Sequence, residues 1–184
     1  MMILNSTISE RSDFMKILAV IDMQNDFIDG SLGTAEAVKI VDSVSKKIEK
    51  YRALGVEIIF TRDTHPQNYL STNEGKRLPV EHCIKDSYGW QICKKLDIDD
   101  SKIINKPTFG SYELAEYISQ KSNVDEVELI GLCTDICVIS NAILLKAKMP
   151  EIKIIVDSSC CAGVTVKSHE NALDAMKMCQ IDII

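Results

Sequence analysis

Lys16-Ile17-Leu18-Ala19-Val20-Ile21-Asp22 is an unbroken apolar run ending on a carboxylate, and it constrains the fold more than any other stretch. Unlike an alternating pattern, such a run suits a strand covered on both faces, as in a parallel sheet. Similar runs recur over 56–61, 102–105, 127–130 and 152–156, with a last one at 181–184. Between them apolar residues fall at helical spacing. Over 34–54 these are Val38, Val41, Val44, Ile48 and Tyr51, with Gly55 as the expected stop. Further helices are expected over 90–95, from a Ser111 cap to about 121, over 134–146 and over 167–178, while 26–33 reads as a glycine-punctuated loop. The alternation predicts a three-layer α/β/α fold with a mostly parallel, Rossmann-like sheet of about six strands. It fills 16–184 as one domain, behind a loose extension over 1–15.

Composition removes several classes of function. A net charge of −6 argues against non-specific nucleic-acid binding, which needs clustered Lys and Arg. No apolar run approaches the roughly 20 residues that span a bilayer. The first sixteen residues lack the long apolar core of a secretory signal, and seven cysteines without scaffold spacing point to a reducing cytoplasm. Self-association is left open.

In a parallel sheet the strand C-termini share one edge, where open α/β folds hold their ligands. Asp22 ends the first strand, Asp63 follows the second, Lys106 the third and Cys137 the fourth. Thr134 has the chemistry of a helix N-cap, which would set Cys137 in a first turn whose dipole favours a thiolate. Asp22 suits the base that takes the thiol proton, and Lys106 the cation that holds Asp22 and lowers the thiol pKa. Backbone N–H groups around Cys133 to Cys137 are available to an oxyanion. Alone, each residue has an ordinary reading: a buried thiol, a loop cap, a surface charge. Placed together beyond adjacent strands, they read as a nucleophilic site.

A second constellation is Asp63, His65, Glu74 and His82, arranged around the long polar stretch 66–90. Nitrogen and carboxylate donors suit a divalent metal, zinc first, with iron or manganese as alternatives. His169, near a helix start, reads as a cap or surface residue. Phe27, Trp90 and Phe109 are the aromatics nearest the expected crevice, and Phe27 is the best placed to touch a ring-shaped substrate.

Four motifs, in order, carry a family resemblance: Val20-Ile21-Asp22-Met23-Gln24-Asn25-Asp26-Phe27, Asp63-Thr64-His65, Asn105-Lys106-Pro107-Thr108-Phe109-Gly110 and Gly131-Leu132-Cys133-Thr134-Asp135-Ile136-Cys137-Val138. The chain resembles the isochorismatase-like cysteine hydrolases and is most similar among them to nicotinamidases. That resemblance implies Asp22 as proton acceptor, Lys106 as its charged partner and Cys137 as nucleophile. It also implies a cis peptide between Leu132 and Cys133, with the N–H groups of Cys133 and Cys137 as the oxyanion hole. The metal ligands it implies are Asp63, His65 and His82. A histidine common in the family is missing from 66–72, which makes Glu74 the candidate fourth ligand, and Ile136 stands where some members have a polar residue. The cysteine argues against isochorismatase activity itself. The expected reaction converts nicotinamide to nicotinate and ammonia through a thioester, with the metal holding the pyridine nitrogen. The alternatives are a relative acting on another small amide or ureide, and a non-catalytic flavodoxin-like binding module. The module would need a phosphate loop where 22–30 is acidic.

Overall fold

The computed structural model describes residues 14–184. Six parallel strands form one sheet: β1 (Met15–Ile21), β2 (Glu57–Asp63), β3 (Lys102–Lys106), β4 (Val124–Leu132), β5 (Lys153–Ala162) and β6 (Asp182–Ile183), in the order β3-β2-β1-β4-β5-β6. The helices are α1 (Asn25–Ile28), α2 (Ala35–Ala53), α3 (Asn73–Arg77), α4 (Tyr112–Ser119), α5 (Ile139–Lys148) and α6 (Val166–Met178). Side-chain alternation along β1 separates two cores. Ile17, Ala19 and Ile21 pack with Leu114, Ile118, Leu145 and Met176 from α4, α5 and α6. Leu18 and Val20 pack with Val41, Val44 and Ile48 of α2 and with Phe27 of α1. Burial on both faces explains why the run is unbroken. Among the described residues, no helix is long and apolar enough to cross a membrane.

Most elements start where their residues dictate. Thr34 Oγ1 accepts the Ala37 N–H at the head of α2, Ser111 Oγ accepts the Leu114 N–H at α4, and Gly55 ends the α2 region at φ +70°. Other expectations need correction. The buried stripe of α2 is Ala37, Ile40, Val41, Val44, Ile48 and Tyr51, whereas Val38 faces solvent. The loop expected over 26–33 begins inside the short helix α1. No helix forms over 90–95. Ile92 instead bridges to Gln24, with Cys93 N–H donating to the Met23 carbonyl at 2.9 Å, so inter-segment bonds replace helical ones. The stretch 66–90 has its own short elements, a 3₁₀ turn at Tyr69–Ser71 and α3. Of the extension expected over 1–15, only Phe14 and Met15 lie within the described residues, and Met15 already opens β1.

Close strand approach shapes the C-terminal edge. Gly131 has φ +118°, and a Cβ there would lie 2.1 Å from the Ile21 carbonyl oxygen. Only glycine lets β4 pass β1 this closely, immediately before the turn that carries Cys137.

Candidate active site

The strand ends bring Asp22, Asp63, Lys106 and Cys137 together, all buried. Asp22 is the first residue beyond β1, at φ +46°. Its Oδ1 accepts the Thr61 hydroxyl at 2.7 Å, and its Oδ2 lies 2.6 Å from Lys106 Nζ. The same ammonium lies 3.4 Å from Cys137 Sγ, 3.4 Å from Asp63 Oδ1 and 3.0 Å from the Thr108 carbonyl oxygen. Burial pushes the Asp22 carboxyl above its ordinary pKa, although Lys106 opposes the shift. Burial also works against the Lys106 charge, but the carboxylates of Asp22 and Asp63 hold that ammonium protonated. For Cys137, burial and then the Asp22 charge push the thiol well above its ordinary value. This corrects the expectation of a depressed thiol pKa: desolvation outweighs the nearby cation.

Cys137 does not sit in the first turn of an α-helix. Thr134–Val138 is a single π-helical turn, between a cis Leu132–Cys133 peptide and α5. The Cys133 carbonyl accepts N–H groups from Ile136 at 3.1 Å and Val138 at 3.0 Å, passing over that of Cys137. Thr134 is therefore not a cap. Its hydroxyl pairs with His169 Nδ1 at 2.8 Å, which makes His169 a half-buried partner of this turn rather than a surface residue. Asn141 Nδ2 donates to the Cys137 carbonyl at 2.8 Å, while its Oδ1 accepts the Ser111 N–H at 2.9 Å.

Beside this group, donor atoms of Asp63, His65 and His82 all lie within 4.8 Å of one another. A short parallel bridge between His65 and Ile84 returns the loop and delivers His82. His65 Nε2 is 3.1 Å from Asp63 Oδ2, and Glu74 Oε1 is 3.7 Å from Nε2 of both histidines. Two features fit a metal ion. His65 Nε2 is buried without a hydrogen-bond partner. His82 Nδ1 lies 2.8 Å from the Val80 carbonyl oxygen, which fixes a tautomer with the Nε2 lone pair free. Both constellations face a small cavity of about 50 Å³, lined by Phe27, Asp63, His82, Phe109, Cys133 and Cys137. Trp90 lies elsewhere: its indole donates to Thr64 Oγ1 at 2.8 Å, and Arg62 stacks 3.3 Å above its ring.

The model of the isochorismatase domain family matches residues 16–184. The chain belongs to the isochorismatase family. This isochorismatase-family hydrolase is 27% identical over 175 residues to the nicotinamidase of Saccharomyces cerevisiae, covering 70% of this chain and 80% of that protein. A pyrazinamidase of Pyrococcus horikoshii, solved in complex with zinc, is 30% identical with a TM-score of 0.79, covering 92% of this chain and 98% of its own. The N-carbamoylsarcosine amidase of Thermoplasma acidophilum is 26% identical with a TM-score of 0.77, covering 92% and 95%. The sheet agrees with these neighbours and, in this family member, is wholly parallel. Sequence reasoning missed Thr61 and Asn141, whose bonds hold Asp22 and the Cys137 turn. Neither carries a motif signal that marks it apart from an ordinary strand or helix residue.

Proposed function

We propose that this isochorismatase-family hydrolase is an amidase that converts nicotinamide to nicotinate and ammonia through a thioester on Cys137. The observation that carries the reading is the buried contact of Lys106 Nζ with both Asp22 and Cys137 Sγ. Asp22, made more basic by burial, accepts the thiol proton. The sulfur attacks the amide carbon, a C–S bond forms, and the carbonyl electron pair moves to oxygen. The N–H groups of Cys133 and Cys137 receive that oxyanion, the Cys133 carbonyl being bonded by Ile136 and Val138 instead of Cys137. As the carbonyl reforms, the C–N bond breaks and ammonia leaves with the proton held on Asp22. Water then adds to the thioester while Asp22 takes its proton, and nicotinate departs as the thiol is restored. Throughout, Lys106 keeps its charge and holds Asp22 in place.

Asp63, His65, His82 and Glu74 would hold a divalent ion, zinc first, with iron or manganese as alternatives. When bound, it supplies a Lewis-acid site for a ring nitrogen. Phe27 and Phe109 line the cavity where an aromatic ring would lie. Seven free thiols suit a reducing cytoplasm. Likeness to the Thermoplasma acidophilum enzyme supports a second reading, hydrolysis of a small ureide with the same residues.

Ammonia release from nicotinamide, compared with N-carbamoylsarcosine, separates the two readings. Cys137→Ala is expected to lower kcat by roughly 10⁴–10⁶-fold. A Cys137→Ala protein with wild-type turnover would sink both.

A further inference from the structure

The connection between β5 and α6, together with the start of α6, grips the cysteine-bearing turn at two consecutive residues. Thr134 is wholly buried, and its hydroxyl lies 2.8 Å from His169 Nδ1. Next along the chain, both carboxylate oxygens of Asp135 accept the Val164 N–H, at 3.1 and 3.3 Å. His169 is in turn placed by the head of α6. Thr165 and Ser168 close a capping box there, and the His169 N–H donates to the Thr165 carbonyl at 3.0 Å. Gly163 packs flat against that first turn, where a Cβ would come within 2.9 Å of both the His169 N and Cβ. Burial holds the imidazole below its ordinary pKa, so the ring at Thr134 is the neutral one at neutral pH.

A π turn is a rare insertion in a helical path, and its shape depends on its surroundings. Thr134 caps nothing inside the turn. Its hydroxyl is instead committed to a different element, and the same turn directs the Cys137 thiol and N–H. We infer that His169 is a positioning residue for Cys137, acting through Thr134 to fix the π turn. His169 does not line the small cavity that holds Cys137; it lines a separate one with Ile40 and Val166. A displacement of about 1 Å at a reacting atom can lower turnover about 10²-fold. Substrate binding, which this pair does not touch, stays as it was. The inference rests on the reading of Cys137 as the nucleophile.

The test is a double-mutant cycle of Thr134→Val and His169→Leu, with His169→Asn as the conservative variant. Two readouts are taken: kcat and KM for nicotinamide hydrolysis, and the iodoacetamide alkylation rate of Cys137 followed on its own peptide by mass spectrometry. Each single substitution is expected to lower kcat roughly 10–100-fold with KM within about twofold. The double variant should be no worse than the poorer single, because both remove one contact. His169→Asn, whose amide reaches the place of Nδ1, should restore most of the turnover. An unchanged kcat in His169→Leu, losses that multiply in the double, or an Asn variant no better than Leu would each overturn the inference. If His169→Leu does not fold, His169→Gln replaces it, since its longer amide cannot occupy the Nδ1 position. Should the wild-type protein release no ammonia from nicotinamide, the substrate reading fails while alkylation still decides the role of His169: a Cys137 rate altered in His169→Leu and restored in His169→Asn supports it, and a wild-type rate in His169→Leu overturns it.

Discussion

Lys106 is the residue on which the site's charges balance. Lysine is almost never fully buried unless paired, and here its ammonium meets Asp22, Asp63, the Thr108 carbonyl and the Cys137 sulfur. Removing it would leave two buried carboxylates facing each other without a cation. Lys106→Met is therefore expected to lose about 3–5 kcal/mol in urea denaturation. Asp22→Asn in the same chain should recover part of that loss, because it removes one of the stranded charges. A Lys106→Met protein unfolding at the wild-type urea concentration would remove Lys106 from this role. The residue types at this edge could be read from sequence, but their ionisation could not. A nearby lysine and a helix start both argue for a thiolate; full burial and the Asp22 charge decide for the thiol.

At the scale of elements, what a segment does with its own residues was legible, and what a neighbour imposes was not. The β1 run, the Thr34 and Ser111 caps and the Gly55 stop are local signals, and each sits where its chemistry requires. The π turn at Thr134–Val138 reads from sequence as an ordinary helix start, because His169 and Val164, which grip it, are remote in the chain. The helix expected over 90–95 gave way to bridging with Gln24. Equally hidden was the charged network under α2. Lys16 Nζ lies 2.6 Å from both Glu126 and Glu128, Lys47 pairs with Glu128 and Asp157, and the Tyr51 hydroxyl donates to Glu128 at 2.6 Å. Burial works to raise the Glu128 carboxyl pKa, but Lys16, Lys47 and Tyr51 hold it below the ordinary value. A depressed carboxylate stabilises the fold fully above its unfolded pKa, near 4.3, and loses that contribution as pH falls through the folded value. The wild-type urea midpoint should thus fall on acidification below about pH 4. Glu128→Gln should begin about 1–3 kcal/mol less stable at pH 7 and show a shallower acid limb. Parallel acid limbs in the two proteins would show that Glu128 does not carry this dependence.

Across the whole molecule, the strand order makes the site. From β1 the sheet grows one way through β2 to β3 and the other way through β4 to β6, so the crevice opens at the β1–β4 switch point. The parallel sheet and its common edge follow from the apolar runs; the order of strands, which sets Asp63 between the two constellations, does not. One oxygen of Asp63 lies 3.4 Å from Lys106 and the other 3.1 Å from His65, so a single carboxylate serves both the thiol group and the metal-suited cluster. An ion bound there would tie the end of β2 to the loop that carries His82, and binding only the folded state adds stability by mass action. At a hundredfold excess over its Kd, Zn²⁺ is expected to add about 2.7 kcal/mol. For a chain of this length that raises Tm by about 5–11 °C, and a chelator should reverse it. His82→Ala should abolish the shift and Glu74→Gln should reduce it, whereas Cys137→Ala should keep it whole. A shift of wild-type size in His82→Ala would place the ion elsewhere, and loss of the shift in Cys137→Ala would place it on the thiol.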